Sequence, residues 1–159
     1  MKKFGYILII VGLLCIANSV VFADDTADAI KFFKRYVNAA NSYDKSILQM
    51  YSPNARIIRQ VIKPDGALED IETDTNTYLR QLQLGQKTAR LRRYKNSYTN
   101  IRAEKISNGI KISSLRQPSG EKYRLRTYMI IQKQPNGEWL IIEEMMQTKV
   151  QIFLKYANK

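Results

Sequence analysis

Residues 121–149 constrain the fold more than any other part of the chain. Two runs rich in β-branched, aromatic and methionine residues flank a short polar segment that contains Asn136-Gly137. Asn-Gly supplies the positive φ values that a tight turn requires, so the pattern predicts a long antiparallel hairpin. Each arm would have about a dozen residues, or ~40 Å at the rise of a strand. A hairpin of this length predicts the spine of a bent sheet that the rest of the chain covers.

The second arm of this hairpin is apolar on both faces and carries one glutamate on each. Simple alternation gives two sets: Trp139, Ile141, Glu143 and Met145, and Leu140, Ile142, Glu144 and Met146. A strand that is apolar on both faces is usually central and covered. One of the two glutamates must therefore point into a covered region, where a carboxylate needs a partner. That partner could be Arg124 or Arg126 in an ion pair across the ladder, or the acid could line a pocket.

The first 23 residues have the pattern of an export signal. Two lysines precede an apolar core, and Val21-Phe22-Ala23 places compact residues where a signal peptidase cuts. We predict cleavage near Ala23 and a periplasmic or secreted protein. An uncleaved anchor is the alternative, because residues 4–23 nearly span a bilayer. Cleavage would leave residues 24–159 as one domain of 159 − 23 = 136 residues, enough for a hydrophobic core.

The composition excludes several kinds of catalytic and metal site. The chain has no histidine, and its one cysteine, Cys15, lies within the predicted signal. Ser-His-Asp and Cys-His catalysis and the usual zinc sites are thereby excluded, as is a disulfide within the chain. We expect no cofactor and no metal, and any acid–base chemistry would depend on Asp, Glu, Tyr or Lys.

The charge of the chain favours an anionic partner. Without the two lysines of the predicted signal, 26 − 2 = 24 basic side chains face 14 acidic ones, a net charge of +10. In an exported protein this excess fits an apolar or amphipathic anionic ligand, or a membrane surface that meets a basic face. Nucleic acid is disfavoured outside the cytoplasm. A generally basic, solvated surface explains the same charge equally well.

Helices are predicted early in the chain and strands late. Periodicity predicts a helix over residues 26–43, a short one over 45–51 ended by Pro53, and a third from Asp74 or Thr75 that Gly85 stops. Strands are predicted over 55–62, 67–72 and 110–117, and the basic stretch 87–105 contains an alternating, solvated strand around Tyr94 and Tyr98. Residues 150–154 fit either a strand extension or a short helix. The fold class is therefore α+β: a strongly bent antiparallel sheet with about three helices over its concave face, which together form a cone.

Two segments resemble the nuclear transport factor 2-like (NTF2-like, SnoaL-like, cystatin-like cone) superfamily. Residues 36–56 contain Tyr-Val-Asn-Ala-Ala-Asn-Ser-Tyr-Asp and then Leu-Gln-Met-Tyr-Ser-Pro-Asn-Ala-Arg. They are similar to the opening of those domains: a helix, a polar break, a short helix and a first strand. Residues 136–141, Asn-Gly-Glu-Trp-Leu-Ile, are similar to their last hairpin. The resemblance implies the cone fold over residues 26–149. It implies no single function, because the superfamily includes isomerases, dehydratases, hydrolases, lipid or polyketide binders and assembly modules.

Three functions remain open at this point. The first is an exported carrier that holds an apolar or amphipathic ligand in the cone. The second is an assembly domain of an envelope or secretion complex, and a homodimer through the open sheet face would fit either of these. The third is an isomerase or hydrolase, for which a glutamate beside a tyrosine would be needed; no catalytic residue can be assigned from the resemblance, since the histidine of the dehydratase pattern is missing. The candidate binding residues are Tyr36, Tyr128, Met145, Glu143 and Glu144, with Arg124 and Arg126 at the rim.

Overall fold

The computed structural model describes the backbone of residues 21–156 and the side chains of residues 25–155. The predicted export signal lies outside this part of the chain, except that residues 21–23 belong to the first turn of α1. Within the described residues, no helix combines the length and apolar character needed to cross a membrane. The elements in chain order are α1 (Val21–Ser42), the 3-10 helix η1 (Lys45–Met50), β1 (Tyr51–Ile62), β2 (Leu68–Thr73), α2 (Thr75–Leu91), β3 (Asn96–Ile106), β4 (Gly109–Pro118), β5 (Leu125–Lys133), β6 (Trp139–Thr148) and the 3-10 helix η2 (Gln151–Tyr156).

The six strands form one mixed sheet in the order β2-β1-β6-β5-β4-β3. The predicted hairpin is the pair of β5 and β6 at the centre of this sheet, and β1 runs parallel to β6 on its other side. Its arms have 9 and 10 residues, shorter than predicted, because the first strand begins only at Leu125. The α+β class is confirmed. The sheet, predicted as antiparallel, is antiparallel at every pair except β1 and β6, which makes it mixed.

Irregularities in the strand pairing bend the sheet at three places. The register shifts between Tyr51 and Arg56 in β1, between Thr99 and Arg102 in β3, and where β5 passes from Ile130 to Ile131. An extra residue in one strand bends it and increases its twist. The sheet therefore has a concave face, and the helices cover it.

Helix α1 covers the side of the concave face formed by β3 and β4, and α2 covers β1. The buried residues of α1 recur at helical spacing, which gives the helix one apolar stripe: Ala29, Phe32, Phe33, Tyr36 and Ala39. Across from this stripe the sheet contributes Ile112, Ile131 and Ile141, each fully buried. The core thus lies between the helices and the concave face, as the cone predicts.

The structure differs from the sequence prediction at Gly85 and at Pro53, two residues expected to end helices. Helix α2 continues through Gly85 to Leu91, because Gly85 lacks the positive φ that would end the helix there. Pro53 does not follow η1 but lies inside β1, in the part of the strand where the pairing with β6 is interrupted and no N–H is required for the ladder. Residues 151–156 form a 3-10 helix, which decides between the two predictions for that segment.

Candidate functional site

A buried carboxylate lies at the centre of the concave face and is held by tyrosine hydroxyls. Glu144 on β6 is 1% exposed. Its Oε1 accepts a hydrogen bond from the Tyr36 hydroxyl at 2.9 Å, and its Oε2 accepts one from the Tyr51 hydroxyl at 2.7 Å. The Tyr78 hydroxyl lies 3.2 Å from that of Tyr51. Tyr36, Tyr51, Tyr78 and Glu144 form what we call the tyrosine–glutamate network.

The extra residue in β6 aims Glu144 at the helices. Ile131 pairs with Ile141 and Ile130 pairs with Glu143, so Ile142 is the added residue. Two residues on one side of a bulge and one on the other break the strict alternation of side chains. Ile141 and Glu144 consequently both face the core, although simple alternation puts them on opposite faces. The prediction that one of the two glutamates points into a covered region identifies a real feature, and the residue is Glu144.

Burial and the charge of Glu144 keep the tyrosines of the network protonated. Desolvation raises the pKa of the Tyr36 and Tyr51 hydroxyls well above the ordinary value, and the neighbouring Glu144 carboxylate raises it further. The pKa of Tyr78 is raised for the same two reasons. Because Tyr51 gives its one proton to Glu144, the Tyr78 hydroxyl donates to Tyr51. Each tyrosine hydroxyl of the network therefore donates its proton to another member of the network.

A cavity of about 320 Å³ opens beside this network, between α1, α2 and the sheet. Tyr36 and Tyr78 belong to its wall as well as to the network. The other wall residues are mostly apolar or aromatic, with a few amides and two arginines: Ala40, Asn41, Tyr43, Ile47, Arg59, Gln81, Leu82, Gly85, Gln86, Ala89, Tyr94, Asn96, Tyr98, Arg116 and Met146. An apolar cavity with a few placed polar groups is the usual form of a small-molecule site.

Arg116 is the more deeply buried of the two cavity arginines. It is 8% exposed, and it is fixed by two hydrogen bonds of 2.9 Å, from Nη1 to Asn96 Oδ1 and from Nη2 to the Gln147 carbonyl oxygen. The backbone N–H of Asn96 in turn donates a hydrogen bond to Oδ1 of Asn41 on α1. The Nε of Arg116 is buried and has no hydrogen-bond partner. A charge this far from water ordinarily has an anion beside it.

Arg59 lies on the other side of the cavity, on β1. Its guanidinium stacks on the ring of Tyr78, 4.8 Å from the ring centroid. Among the described residues, neither Arg59 nor Arg116 forms an ion pair with a carboxylate. An arginine is charged at every ordinary pH, so the cavity wall carries two positive charges. The nearby Glu144 carboxylate interacts electrostatically with Arg59, whereas Arg116 has no carboxylate within ion-pair distance among the described residues. No cluster of acidic or cysteine side chains that could hold a metal ion occurs in the described part of the chain.

The other predicted site residues lie outside this cavity. Glu143 points away from the helices, accepts a hydrogen bond of 2.7 Å from the Tyr128 hydroxyl and lies 3.5 Å from Arg56. Met145 pairs with Tyr128 on the same outer side of the sheet. Arg124 and Arg126 are exposed. The ion pair of the covered glutamate with Arg124 or Arg126, one of the two predicted alternatives, is wrong, because Glu144 accepts its hydrogen bonds from Tyr36 of α1 and Tyr51 of β1.

Sequence reasoning placed Tyr36 and Glu144 in the site and missed their partners. Tyr51 was assigned to the end of a helix, although it opens β1. Arg116 was overlooked, yet it alternates with Ile110, Ile112 and Ser114 along β4, and all four are buried. A basic residue in register with a buried apolar face is a signal for a buried charge, and this signal could have identified it.

Comparisons with known proteins identify the fold. No protein-family model matches the chain, and no curated protein matches it. Among solved structures, the chain is similar to an NTF2-like protein of unknown function from Pseudomonas putida, with a TM-score of 0.60 and 12% identity over 79% of this chain and 87% of that one.

Two further solved structures give the same answer. A candidate dehydratase of the NTF2-like family from Streptomyces avermitilis has a TM-score of 0.59 and 8% identity over 80% of this chain and 98% of that one. A candidate ketosteroid isomerase from Shewanella frigidimarina has a TM-score of 0.52 and 15% identity over 73% and 91%. The chain is an α+β domain with the NTF2-like cone fold, also called the cystatin-like fold. At these identities the likeness shows the fold alone.

Proposed function

We propose that the chain is an exported binding protein that holds a small amphipathic anion in the cavity between α1, α2 and the sheet. The observation that carries this proposal is Arg116: a buried guanidinium in the cavity wall, fixed by hydrogen bonds to Asn96 and Gln147, with no ion-pair partner among the described carboxylates. A preorganised guanidinium binds a carboxylate or phosphate with little reorganisation. The apolar and aromatic wall would bury the rest of the ligand.

The volume of the cavity limits the ligand. At ~30 Å³ for each water-sized group, 320 Å³ accommodates about ten such groups. This is enough to enclose a small organic acid and too little to enclose a phospholipid with two acyl chains. The proposal therefore favours a free small-molecule anion over the membrane lipid that the charge of the chain also suggested.

The committed protons of the network favour binding over catalysis. A general base in an isomerase or dehydratase must be within reach of the proton that it removes. Both oxygens of Glu144 accept tyrosine hydroxyls, and Glu144 is not part of the cavity wall. The network thus positions Tyr36 and Tyr78 in the wall, and we assign it no proton transfer to a ligand.

Export is supported by the sequence pattern of residues 1–23 and by the excess of basic residues. Native mass spectrometry of the protein, isolated gently from the periplasm of an expressing bacterium, tests export and binding together. A chain that begins at Asp24 and carries an anionic adduct of a few hundred daltons or less is the expected result. A chain that retains residues 1–23, or a dimer without an adduct, would favour the assembly domain instead.

Substitutions test the residue that carries the proposal. Arg116→Gln should weaken binding of the recovered ligand about 10- to 100-fold, because a hydrogen-bonded charge contributes ~1.5–3 kcal/mol. Arg124→Gln is the matched control, since it removes the same charge from an exposed position outside the cavity. If Arg116→Gln alters stability, Arg59→Gln tests the second cavity charge at a half-buried position. Equal affinities in all three variants and the unsubstituted protein would refute the proposed site.

A further inference from the structure

We infer that the cavity selects a small planar aromatic acid, and that Gly85 keeps the mouth of the cavity beside its ring open. This inference rests on the proposed function and narrows the chemical class of its ligand.

Five of the ten tyrosines of the chain line this one cavity: Tyr36, Tyr43, Tyr78, Tyr94 and Tyr98. Their hydroxyls are largely engaged elsewhere, those of Tyr36 and Tyr78 within the network and that of Tyr43 with the Tyr94 carbonyl oxygen at 3.0 Å. The wall is therefore richer in ring surface than in free hydroxyl groups. Tyrosine rings favour stacked or edge-on contact with another aromatic ring beyond what burial of area provides.

Gly85 interrupts the inner stripe of α2 at its middle. The α2 residues in the cavity wall are Tyr78, Gln81, Leu82, Gly85, Gln86 and Ala89, which share one face at helical spacing. Gly85 is exposed, so it lies at the open side of the cavity, and a Cβ added there would meet no heavy atom within 4 Å. Gly85 is helical without a positive φ, so the backbone does not require glycine there. Glycine destabilises a helix interior relative to alanine, and what it provides in return at this position is open space.

The anionic group of the ligand is placed by Arg116. Its side chain is more than nine-tenths buried and lines the cavity, and its guanidinium has no ion-pair partner among the described carboxylates. An acid whose carboxylate binds Arg116 would place its ring among the tyrosines of the cavity wall, which also includes Gly85 of α2. Charge at one end and a flat apolar body at the other describe an aryl carboxylate of one or two rings, which also agrees with the volume of the cavity.

Paired ligands of equal size test the aromatic preference. The full mature chain is titrated calorimetrically with benzoate against cyclohexanecarboxylate, and with 2-naphthoate against its fully saturated analogue. The aromatic member of each pair should bind about 2- to 10-fold more tightly, as ring–ring contacts predict. Equal binding within both pairs would overturn this inference and leave the proposed function intact. If none of the four acids bound, this inference would be overturned, whereas the proposed function is decided separately by the adduct in native mass spectrometry and by Arg116→Gln.

Substitution of Gly85 tests where the ring lies. Gly85→Leu should weaken 2-naphthoate binding at least about 10-fold by filling the open space, while the melting temperature stays equal or rises because leucine is the better helix former. Asn76→Leu adds the same side chain at an exposed position of α2 outside the cavity wall, and it should leave binding unchanged. Gly85→Ala is a smaller change. It should make the protein more stable, and it should weaken the binding of 2-naphthoate more than the binding of benzoate. Unchanged 2-naphthoate affinity in a folded Gly85→Leu protein would overturn the assignment.

Discussion

Replacement of Tyr51 by phenylalanine removes the hydroxyl on which the tyrosine–glutamate network depends and leaves the ring in place. Tyr51 is 5% exposed, and its hydroxyl lies 2.7 Å from Glu144 Oε2, 3.2 Å from the Tyr78 hydroxyl and 3.4 Å from that of Tyr36. The variant therefore leaves one oxygen of a buried carboxylate and the Tyr78 hydroxyl without partners. Both groups stay buried, so water does not replace the lost bonds.

The expected cost follows from these contacts. A hydrogen bond to a charged group contributes ~1.5–3 kcal/mol and a neutral one ~1 kcal/mol, so the free energy of unfolding should fall by roughly 2.5–4 kcal/mol. For a domain of this size, the usual entropy of unfolding converts that loss to a drop of about 10–15 °C in melting temperature. Chemical denaturation with a single transition gives the free energy, and thermal unfolding followed by circular dichroism gives the melting temperature.

The control is Tyr94→Phe, which makes the same chemical change at a tyrosine that is 38% exposed and whose hydroxyl lies 3.4 Å from Asn96 Oδ1. It should cost less than ~0.5 kcal/mol. A double-mutant cycle of Tyr51→Phe with Glu144→Gln should also show a coupling of about 1–3 kcal/mol, because the two groups share one bond. If Tyr51→Phe cost no more than Tyr94→Phe, the carboxylate would have another source of stabilisation and the network would be wrong.

Three further outcomes follow from the same contacts. Unfolded tyrosines ionise near pH 10, whereas the pKa of the network tyrosines is raised, so the folded state holds more protons than the unfolded state above that pH. Stability should therefore fall above pH 10 by up to ~1.4 kcal/mol per pH unit for each tyrosine. Denaturation at a series of alkaline pH values measures this slope, which should be smaller in Tyr51→Phe. Tyr128→Phe should lower stability by ~1 kcal/mol through its bond to the half-buried Glu143 without changing ligand affinity; an affinity change in calorimetry would place the site on the outer face. Arg124→Gln combined with Arg126→Gln should leave affinity unchanged at physiological salt, and a large loss would restore these residues to the rim.

The fold could be predicted where local patterns and tertiary structure agree. The turn at Asn136-Gly137, the apolar stripe of α1 and the strand over residues 110–117 are each determined within a few residues, and all three are confirmed. Gly85 and Pro53 were assigned to helix ends because glycine and proline often occur there, but the surrounding structure outweighs that preference at both positions. A helix that buries Tyr78 and Leu82 continues through one glycine, and a strand tolerates a proline where its pairing is already interrupted.

The site was harder to predict because its geometry is set over long separations in the chain. Tyr36 and Glu144 are 108 residues apart, and Tyr51 and Glu144 are 93 apart. No local period connects such residues. The cavity arginines come from β1 and β4, which the sheet separates by β6 and β5. Periodicity can identify a charge on a buried face, as at Arg116, but it cannot show which other charge shares its cavity.

The bulge at Ile142 explains why alternation alone identified the right kind of residue and the wrong partner. Under strict alternation Glu144 and Ile141 point to opposite faces, and Glu143 shares the face of the buried Ile141. The added residue reverses this relation, so Glu144 meets α1 and β1 while Glu143 meets Tyr128 and Arg56. A bulge costs strand pairing, and such features often re-aim a side chain beside a functional site. Here the bulge places the Glu144 carboxylate where it accepts a hydrogen bond from Tyr36, which also lines the cavity. The irregularity that bends the sheet therefore also influences the shape of the proposed binding site.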